Sequence, residues 1–174
     1  MMSDVFLSVF HNDFNKKKYN DFFPSAFITY EISDESSLSL NYSRRITRPR
    51  GRMINPFSNY SSNINIFRGN PDLDPSMTDA FDFGYLNKWG KFLLSSSVYV
   101  NNSTDVFMFA RIESGDYVNG VPVIISGPIN IANELRAGFE FNLNYSPYKW
   151  WRLNSNFNFF SVDTQGDYTY TDFN

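Results

Sequence analysis

Apolar and polar side chains alternate with a period of two residues over much of this sequence. Between 137 and 145 the apolar positions are Ala137, Phe139, Phe141, Leu143 and Tyr145, and Gly138, Glu140, Asn142 and Asn144 stand between them. Because successive side chains of a β-strand point to opposite faces of the sheet, this pattern predicts a strand with one apolar and one polar face. No capped stretch with the 3.6-residue period of a helix is found in the sequence.

The next segment repeats the alternation and predicts a hairpin. Its polar positions are Arg152, Asn154, Asn156 and Asn158, and the link from Ser146 to Lys149 fits a tight turn between antiparallel strands. We therefore expect one continuous apolar face, which would meet the membrane, and an opposite face rich in asparagine. The residues predicted to form the apolar, membrane-facing surface are Phe139, Phe141, Leu143, Trp151, Leu153, Phe157 and Phe159.

Two further hairpins are predicted upstream by the same alternation. They pair strands 26–30 with 38–42 and strands 81–85 with 91–100, through turns at 33–36 and 87–90. We expect residues 104–112 to extend the last of these strands and residues 121–126 to form a short strand within a longer excursion. About seven or eight antiparallel strands in up-and-down order are therefore expected.

The predicted connections differ in length between the two ends of the sheet. Links at one end are a few residues long, whereas those after Arg45 and Ile112 run to roughly twenty or thirty residues, beyond the usual range for compact domains. Short turns at one end and long extracellular loops at the other are typical of outer-membrane β-barrels. Aromatic residues gather near the short links, as in an interfacial girdle: Tyr30, Tyr85, Trp89, Tyr145, Tyr148, Trp150 and Trp151.

Alternation of this kind also occurs in soluble antiparallel sandwiches. The polar face favours a membrane barrel, because it consists of Asn, Ser and Thr with few of the Lys and Glu residues that solvate soluble proteins. We predict an all-β chain that forms a section of a transmembrane β-barrel. A soluble or surface β-sandwich that binds glycans, and a small closed barrel of about eight strands, are the alternatives.

The composition excludes several classes of function. The chain has no cysteine and a single histidine, His11, so thiolate zinc sites, iron–sulfur clusters and histidine-rich metal centres are ruled out. A formal net charge of -3 gives no overall attraction to nucleic acid. No nucleophile elbow or phosphate-binding loop is present, and we predict neither enzymatic activity nor a cofactor.

Three motifs occur in order along the first half of the chain. They are NYSRRITRP at 41–49, INPF at 54–57 and GNPDLDP at 69–75, preceded by FPSAFITY at 23–30. The series resembles the barrel region of TonB-dependent outer-membrane receptors of the Bacteroidetes type, with the resemblance covering residues 19–101 and the strand pattern extending it. Complete receptors of this kind enclose a plug in a barrel of about 22 strands. Residues 1–174 are therefore expected to be a partial barrel domain without the plug.

The resemblance implies a location, a function and partners. The chain would lie in the outer membrane of a Gram-negative bacterium and belong to a receptor that captures and imports a nutrient, either a glycan, a siderophore complex or a peptide. Implied partners are outer-membrane lipid and lipopolysaccharide, the receptor's own plug, TonB and a surface lipoprotein. Transport by such a receptor involves no covalent chemistry in the barrel.

Positive charge is concentrated around the first long loop, from Ile46 to Met77. The candidates for contact with a ligand or the plug are Arg44, Arg45, Arg48, Arg50, Arg52, Arg68, Asn70, Asp72 and Asp74. The arginines either bind an anionic group or pair with Asp72, Asp74 and Asp79 to hold the loop, and we expect the second. The turn-forming run 69–75 is expected to redirect the loop into the next strand.

A second long loop is predicted from Glu113 to Asn133. It carries many Val and Ile residues and is too apolar to be merely solvated. It either folds over the barrel mouth to contact substrate, plug or lipoprotein, or forms a short hairpin that packs on the first loop. We expect the short hairpin.

Overall fold

The computed structural model describes residues 20–57 and 62–166; His11 lies outside these ranges. Strands dominate, which confirms the all-β prediction. The elements are β1 (Ser25–Ser33), β2 (Ser36–Thr47), α1 (Gly51–Ile54), β3 (Asn65–Phe67), β4 (Ser76–Trp89), β5 (Phe92–Val118), β6 (Val121–Tyr148) and β7 (Trp151–Gly166). In the described part of the chain, α1 is a single turn and no helix is long and apolar enough to cross a membrane.

The seven strands form one sheet. Strands β1, β2, β4, β5, β6 and β7 each pair antiparallel with the next, which is the predicted up-and-down meander. The exception is β3, which pairs parallel with β6. Within the described residues β1 and β7 are not paired with each other, so the sheet is an open section of wall.

Strand register places the predicted apolar residues on one face. Phe139 lies opposite Phe159 and Phe141 opposite Phe157, while Asn142 lies opposite Asn156. Cross-strand partners project to the same face of a sheet, so this register confirms the apolar and polar faces of the β6–β7 hairpin. The register carries the apolar face across the sheet through Val98, Phe83, Leu40 and Ile28.

This wall has little conventional core. Phe27, Phe81, Phe83, Phe157 and Phe159 are among many large apolar side chains that remain exposed. A β-sandwich would cover one face of the sheet with a second sheet, but the described residues form a single sheet. The sandwich alternative is therefore wrong for this part of the chain.

The turns at the short-link end differ slightly from those predicted. The turn 33–36 is as expected, and the Ser33 and Ser36 hydroxyls lie 2.8 Å apart within hydrogen-bond distance. The other two turns fall later, at 90–91 and 149–150, because β4 and β6 continue through the residues assigned to turns. The predicted grouping of aromatics is present there: the Phe92 and Tyr145 rings stack with centroids 3.9 Å apart, and Tyr145 meets Trp151 edge-on.

The second long loop does not exist as predicted. Residues 113–133 belong instead to β5 and β6, which have 27 and 28 residues and meet at a two-residue turn, Asn119–Gly120. Membrane-spanning strands need only about 9–11 residues, so the hairpin extends far beyond that length. The predicted extension of the strand through 104–112 is confirmed. The expected short hairpin within a loop and the short strand at 121–126 are wrong, because these residues continue the long strands β5 and β6. The long hairpin that replaces them packs on the first loop through the pairing of β3 with β6.

The register of this hairpin is interrupted in three places. Shifts occur between Ser103 and Val106, between Val106 and Phe107, and between Glu113 and Tyr117. Asp105 adopts a positive φ of 54° at the first of these, a conformation that Asp tolerates better than most residues. These shifts are β-bulges or other irregularities of the pairing, so the faces assigned by alternation in the lower sheet do not carry directly into the upper hairpin.

Candidate functional site

The candidate site lies at the long-connection end of the sheet, where the link between β2 and β4 packs on the upper half of the β5–β6 hairpin. We call this the loop–hairpin assembly and define it as residues 48–57, 62–75 and 106–132. It contains nearly the whole buried apolar core of the described chain. The members of that core are Leu73, Ala110, Ile112, Val123, Ile125 and Ala132.

The link is fixed to the sheet by β3. Its residues pair with 124–126 of β6, and the amides of Ile124 and Arg68 donate to the carbonyls of Ile64 (2.8 Å) and Ser126 (2.9 Å) respectively. Because β5 occupies the other edge of β6 here, β3 uses the edge that β7 uses lower down, from Ala132 to Tyr148. The link therefore reaches past two strands before it returns to β4.

The single turn of α1 is joined to the run 69–75 by backbone hydrogen bonds. The Gly69 amide donates to the Asn55 carbonyl (3.0 Å) and the Asn70 amide to the Met53 carbonyl (2.7 Å). Gly69 is buried, and a Cβ at this position would lie 2.3 Å from the Asn55 carbonyl oxygen. Only glycine allows the two backbone segments to approach this closely.

The run 69–75 forms a turn, as its sequence predicted. The Asn70 side-chain oxygen accepts a hydrogen bond from the Asp72 amide (2.9 Å), and the Leu73 amide donates to the Asn70 carbonyl. Asn70, a predicted site residue, thus shapes the turn. Leu73 is 1% exposed and is inserted into the core of the assembly.

Asn130 connects this turn to the hairpin. Its side-chain oxygen accepts a hydrogen bond from the Asp74 amide (2.8 Å), and its amide nitrogen donates to the carbonyls of Asp74 (2.9 Å) and Asp105 (2.6 Å). One side chain therefore satisfies backbone groups of both the loop and the bulge of β5. Asn130 was not among the predicted site residues, because an isolated Asn in an apolar stretch carries no positional signal.

The sequence does carry a signal for the upper hairpin, the pair Asn119–Gly120, which was not used in the prediction. Asn119 and Gly120 have φ angles of 52° and 81°, as the central residues of a type I′ turn require. An Asn-Gly pair between two apolar runs is the strongest short-range indication of a hairpin. The Asn119–Gly120 pair thus indicates two continuous strands in place of the second long loop.

The predicted arginine candidates are not gathered on one surface. Arg44 and Arg45 are adjacent in β2 and so project to opposite faces of the sheet; Arg44 lies opposite Asp79 in the register. The Arg45 Nε atom donates to the Ser43 hydroxyl (3.1 Å). Of the others, Arg48 lies between β2 and α1, Arg50 precedes α1, Arg52 lies within it and Arg68 follows β3.

Arg52 has an aromatic partner. Its guanidinium carbon lies 4.8 Å from the centroid of the Phe67 ring, which is 6.1 Å from the Phe109 ring. The cation–π contact joins α1 to β3, and the contact between the Phe67 and Phe109 rings joins β3 to β5. Asp79, one of the predicted acidic partners, accepts a hydrogen bond from the Tyr42 hydroxyl (2.7 Å). Pairing of the loop arginines with Asp72 and Asp74 stays a prediction.

Amide and hydroxyl groups bond one another on the polar face of the wall. The Asn158 amide nitrogen donates to Glu140 (3.1 Å), and its oxygen accepts a hydrogen bond from the Tyr99 hydroxyl (3.3 Å). Asn156 donates likewise to Asn142. Such a surface is polar, which suits contact with water and with a polar neighbour. Among residues 20–57 and 62–166, no group of three acidic, His or Cys side chains could hold a metal ion.

Replacing Asn130 with Ala should loosen the run 69–75. Three hydrogen bonds between the loop, the β5 bulge and β6 are lost, each of which contributes about 0.5–1.5 kcal/mol. We expect faster amide hydrogen exchange at residues 70–76, measured by mass spectrometry. Asn133→Ala, at an exposed position of the same strand, is the matched control. Equal exchange in the two variants would show that Asn130 does not hold the loop.

Comparison with known proteins adds independent findings. Residues 6–174 match the family model described as "Outer membrane protein beta-barrel family". No curated protein sequence matches the chain.

Solved structures similar to this chain include the siderophore receptor PirA from Pseudomonas aeruginosa, with a TM-score of 0.66 at 15% identity over 82% of this chain and 25% of that one. A second similar structure is the ferric enterobactin receptor PfeA from the same organism, in complex with enterobactin. Its TM-score is 0.65 at 13% identity, and the match covers 81% of this chain and 22% of that one. The copper transporter OprC has a TM-score of 0.56 at 16% identity, and the match covers 80% of this chain and 20% of that one. The chain thus spans about a quarter or less of the length of these proteins, and the likeness is one of fold.

Proposed function

This chain belongs to the outer membrane protein β-barrel family, and on that premise we propose that it forms one section of the barrel of a TonB-dependent receptor that captures and imports a nutrient. The observation that carries the proposal is the two-faced wall: six antiparallel strands share an apolar face, and the opposite face is lined by hydrogen-bonded amides and hydroxyls. The fold match to the barrels of siderophore receptors and a copper transporter supports it.

In this function the apolar face meets lipid. A barrel of the outer membrane presents an apolar band outwards and a polar surface inwards, so residues such as Phe139, Phe141 and Leu143 of β6, with Trp151, Leu153, Phe157 and Phe159 of β7, would contact acyl chains. The polar face would surround the plug. Residues 1–174 would then be a partial barrel domain, completed by further strands and a plug elsewhere in the receptor.

The loop–hairpin assembly would serve the extracellular mouth. Its arginines and the carboxylates of Asp72 and Asp74 offer charged groups, and Asn70 an amide, to a nutrient, to lipopolysaccharide, to the plug or to a surface lipoprotein. Glycan, siderophore and peptide are the ligand classes proposed. Binding at the loops and plug would shift the receptor's conformation, and TonB would supply the energy for opening. We propose no covalent step, so the receptor acts as a transporter without enzymatic activity.

Deleting Gly69 to Pro75 from the complete receptor tests this proposal. The deletion removes the buried Leu73 and the Asp74 partner of Asn130. Nutrient binding and uptake should therefore fall about tenfold or more if the assembly contributes one or two typical contacts of about 1.4 kcal/mol. Binding is measured on purified receptor, uptake in whole cells, and barrel assembly by heat-modifiable migration of outer-membrane protein.

One outcome would count against a role of the loop in capture, and another would count against transport. Unchanged uptake by an assembled deletion variant would remove the loop from nutrient capture. Conversion of a nutrient to product by the intact receptor, abolished by the deletion, would identify an enzyme instead.

A further inference from the structure

A groove of about 650 Å³ lies at the short-turn end of the sheet, opposite the loop–hairpin assembly, where β5, β6 and β7 meet. Its lining includes three cationic side chains, Lys91, Lys149 and Arg152, and no carboxylate among the described residues. Three aromatic side chains, Tyr148, Trp150 and Trp151, line it as well. The groove is therefore both basic and aromatic.

The aromatic side chains of the groove lie beside its lysines. The Tyr148 and Trp150 rings stack with centroids 5.6 Å apart, and Trp150 is 83% exposed. Lys91 donates to the Pro147 carbonyl and its ammonium nitrogen lies 5.7 Å from the Tyr148 ring. These contacts hold Lys91 against the wall, while Lys149 lies in the exposed turn.

The groove is continuous with the apolar face. Trp151 lines the groove and contacts Tyr145 at a ring distance of 6.3 Å, and Tyr145 stacks on Phe92. A molecule in the groove would meet cations at one end and the apolar surface at the other. That arrangement fits an amphipathic anion, since aromatic rings favour the membrane interface and Lys and Arg attract anionic headgroups.

We propose that this groove binds the phosphate headgroup of an anionic phospholipid in the periplasmic leaflet, with the acyl chains lying along the apolar face. The inference rests on the proposed function, which directs the short turns towards the periplasm. The lipid of that leaflet, rather than lipopolysaccharide, then faces the groove. Lys88 and Arg152 both project from the polar face near this end, and they line a second pocket together with Lys91. The headgroup is therefore assigned to Lys91 and Lys149, and Lys88 does not line the groove.

The test uses the complete receptor, purified in mild detergent and titrated with phosphatidylglycerol or phosphatidylcholine under native mass spectrometry. Each cation near an anionic headgroup contributes about a fivefold change in affinity. Lys149→Gln should therefore weaken phosphatidylglycerol binding about fivefold, and Lys149→Gln with Lys91→Gln about 25-fold. Phosphatidylcholine binding should not change. Lys88→Gln is the matched control and should keep the affinity of the unmodified receptor.

Three results would overturn the proposal. They are equal phosphatidylglycerol affinity in the unmodified and double-variant receptors, an equal loss in Lys88→Gln, and preferential binding of lipopolysaccharide that the double variant abolishes. If the double variant fails to assemble, Lys149→Gln alone decides, because its side chain lies in an exposed turn. Nutrient uptake is measured separately, so a receptor that binds the lipid but imports nothing would refute the transport function and leave the lipid site intact.

Discussion

Replacing Phe141 with Arg is expected to prevent assembly of the complete receptor, whereas Asn142→Arg is expected to leave most of it assembled. Phe141 lies in the middle of the proposed lipid-facing surface and contacts Phe157 at a ring distance of 6.3 Å. An Arg on the lipid face near the bilayer midplane costs roughly 2–4 kcal/mol. At 142 the new side chain would project from the polar face and stay hydrated, at the cost of about 1 kcal/mol for the hydrogen bond with Asn156.

The measurement is the fraction of receptor in outer membranes that shows heat-modifiable migration. The two positions are adjacent in one strand and differ only in the face to which they project, so each variant controls for the other. Equal assembly of the two variants would contradict a lipid-facing role for the Phe141 surface.

Replacing Gly69 with Ala should disrupt the loop–hairpin assembly without affecting the wall. The added Cβ would lie 2.3 Å and 2.7 Å from the backbone oxygen and nitrogen of Asn55, and 2.9 Å from the Arg52 carbonyl oxygen. Because these are backbone atoms, no side-chain rotation relieves the clash and the segments must separate. Overpacking of this kind costs about 1–3 kcal/mol, and the Gly69 to Asn55 hydrogen bond is lost as well.

The matched control is Gly51→Ala, because a Cβ at Gly51 would have no atom within 4 Å. We expect limited proteolysis to cut residues 48–75 of the Gly69→Ala receptor faster than those of the control, with barrel assembly equal in both. Equal proteolysis would show that the link is not held by its contact with α1.

Much of the wall could be predicted from the sequence. Apolar and polar side chains alternate with a period of two in strands but not in helices. A shift of one residue in the strand register would move every apolar side chain to the wrong face. The pattern around Phe139, Phe141 and Leu143 therefore determined the strand, its faces and its pairing with β7. The positions of the short turns were predicted to within a few residues. The motifs at 41–75 indicated an outer-membrane barrel, and the match of residues 6–174 to the outer membrane protein β-barrel family confirms that class.

The loop–hairpin assembly was decided by tertiary structure. Register shifts near Asp105 and Gly115 interrupt the alternation in β5. Because of this interruption, residues 113–133 were predicted to form an apolar loop and not a hairpin that turns at Asn119–Gly120. The parallel pairing of β3 with β6 and the hydrogen bonds of Asn130 join residues about 60 positions apart.

Local patterns determine what a strand presents to each side, because that depends only on neighbouring residues. The sequence of this protein thus determined a two-faced wall and its family. Which segment fills the space above that wall depends on backbone contacts between distant residues, such as the approach of Gly69 to Asn55 and the insertion of Leu73. Packing of the folded chain alone decides those contacts, because no periodic signal marks them in the sequence.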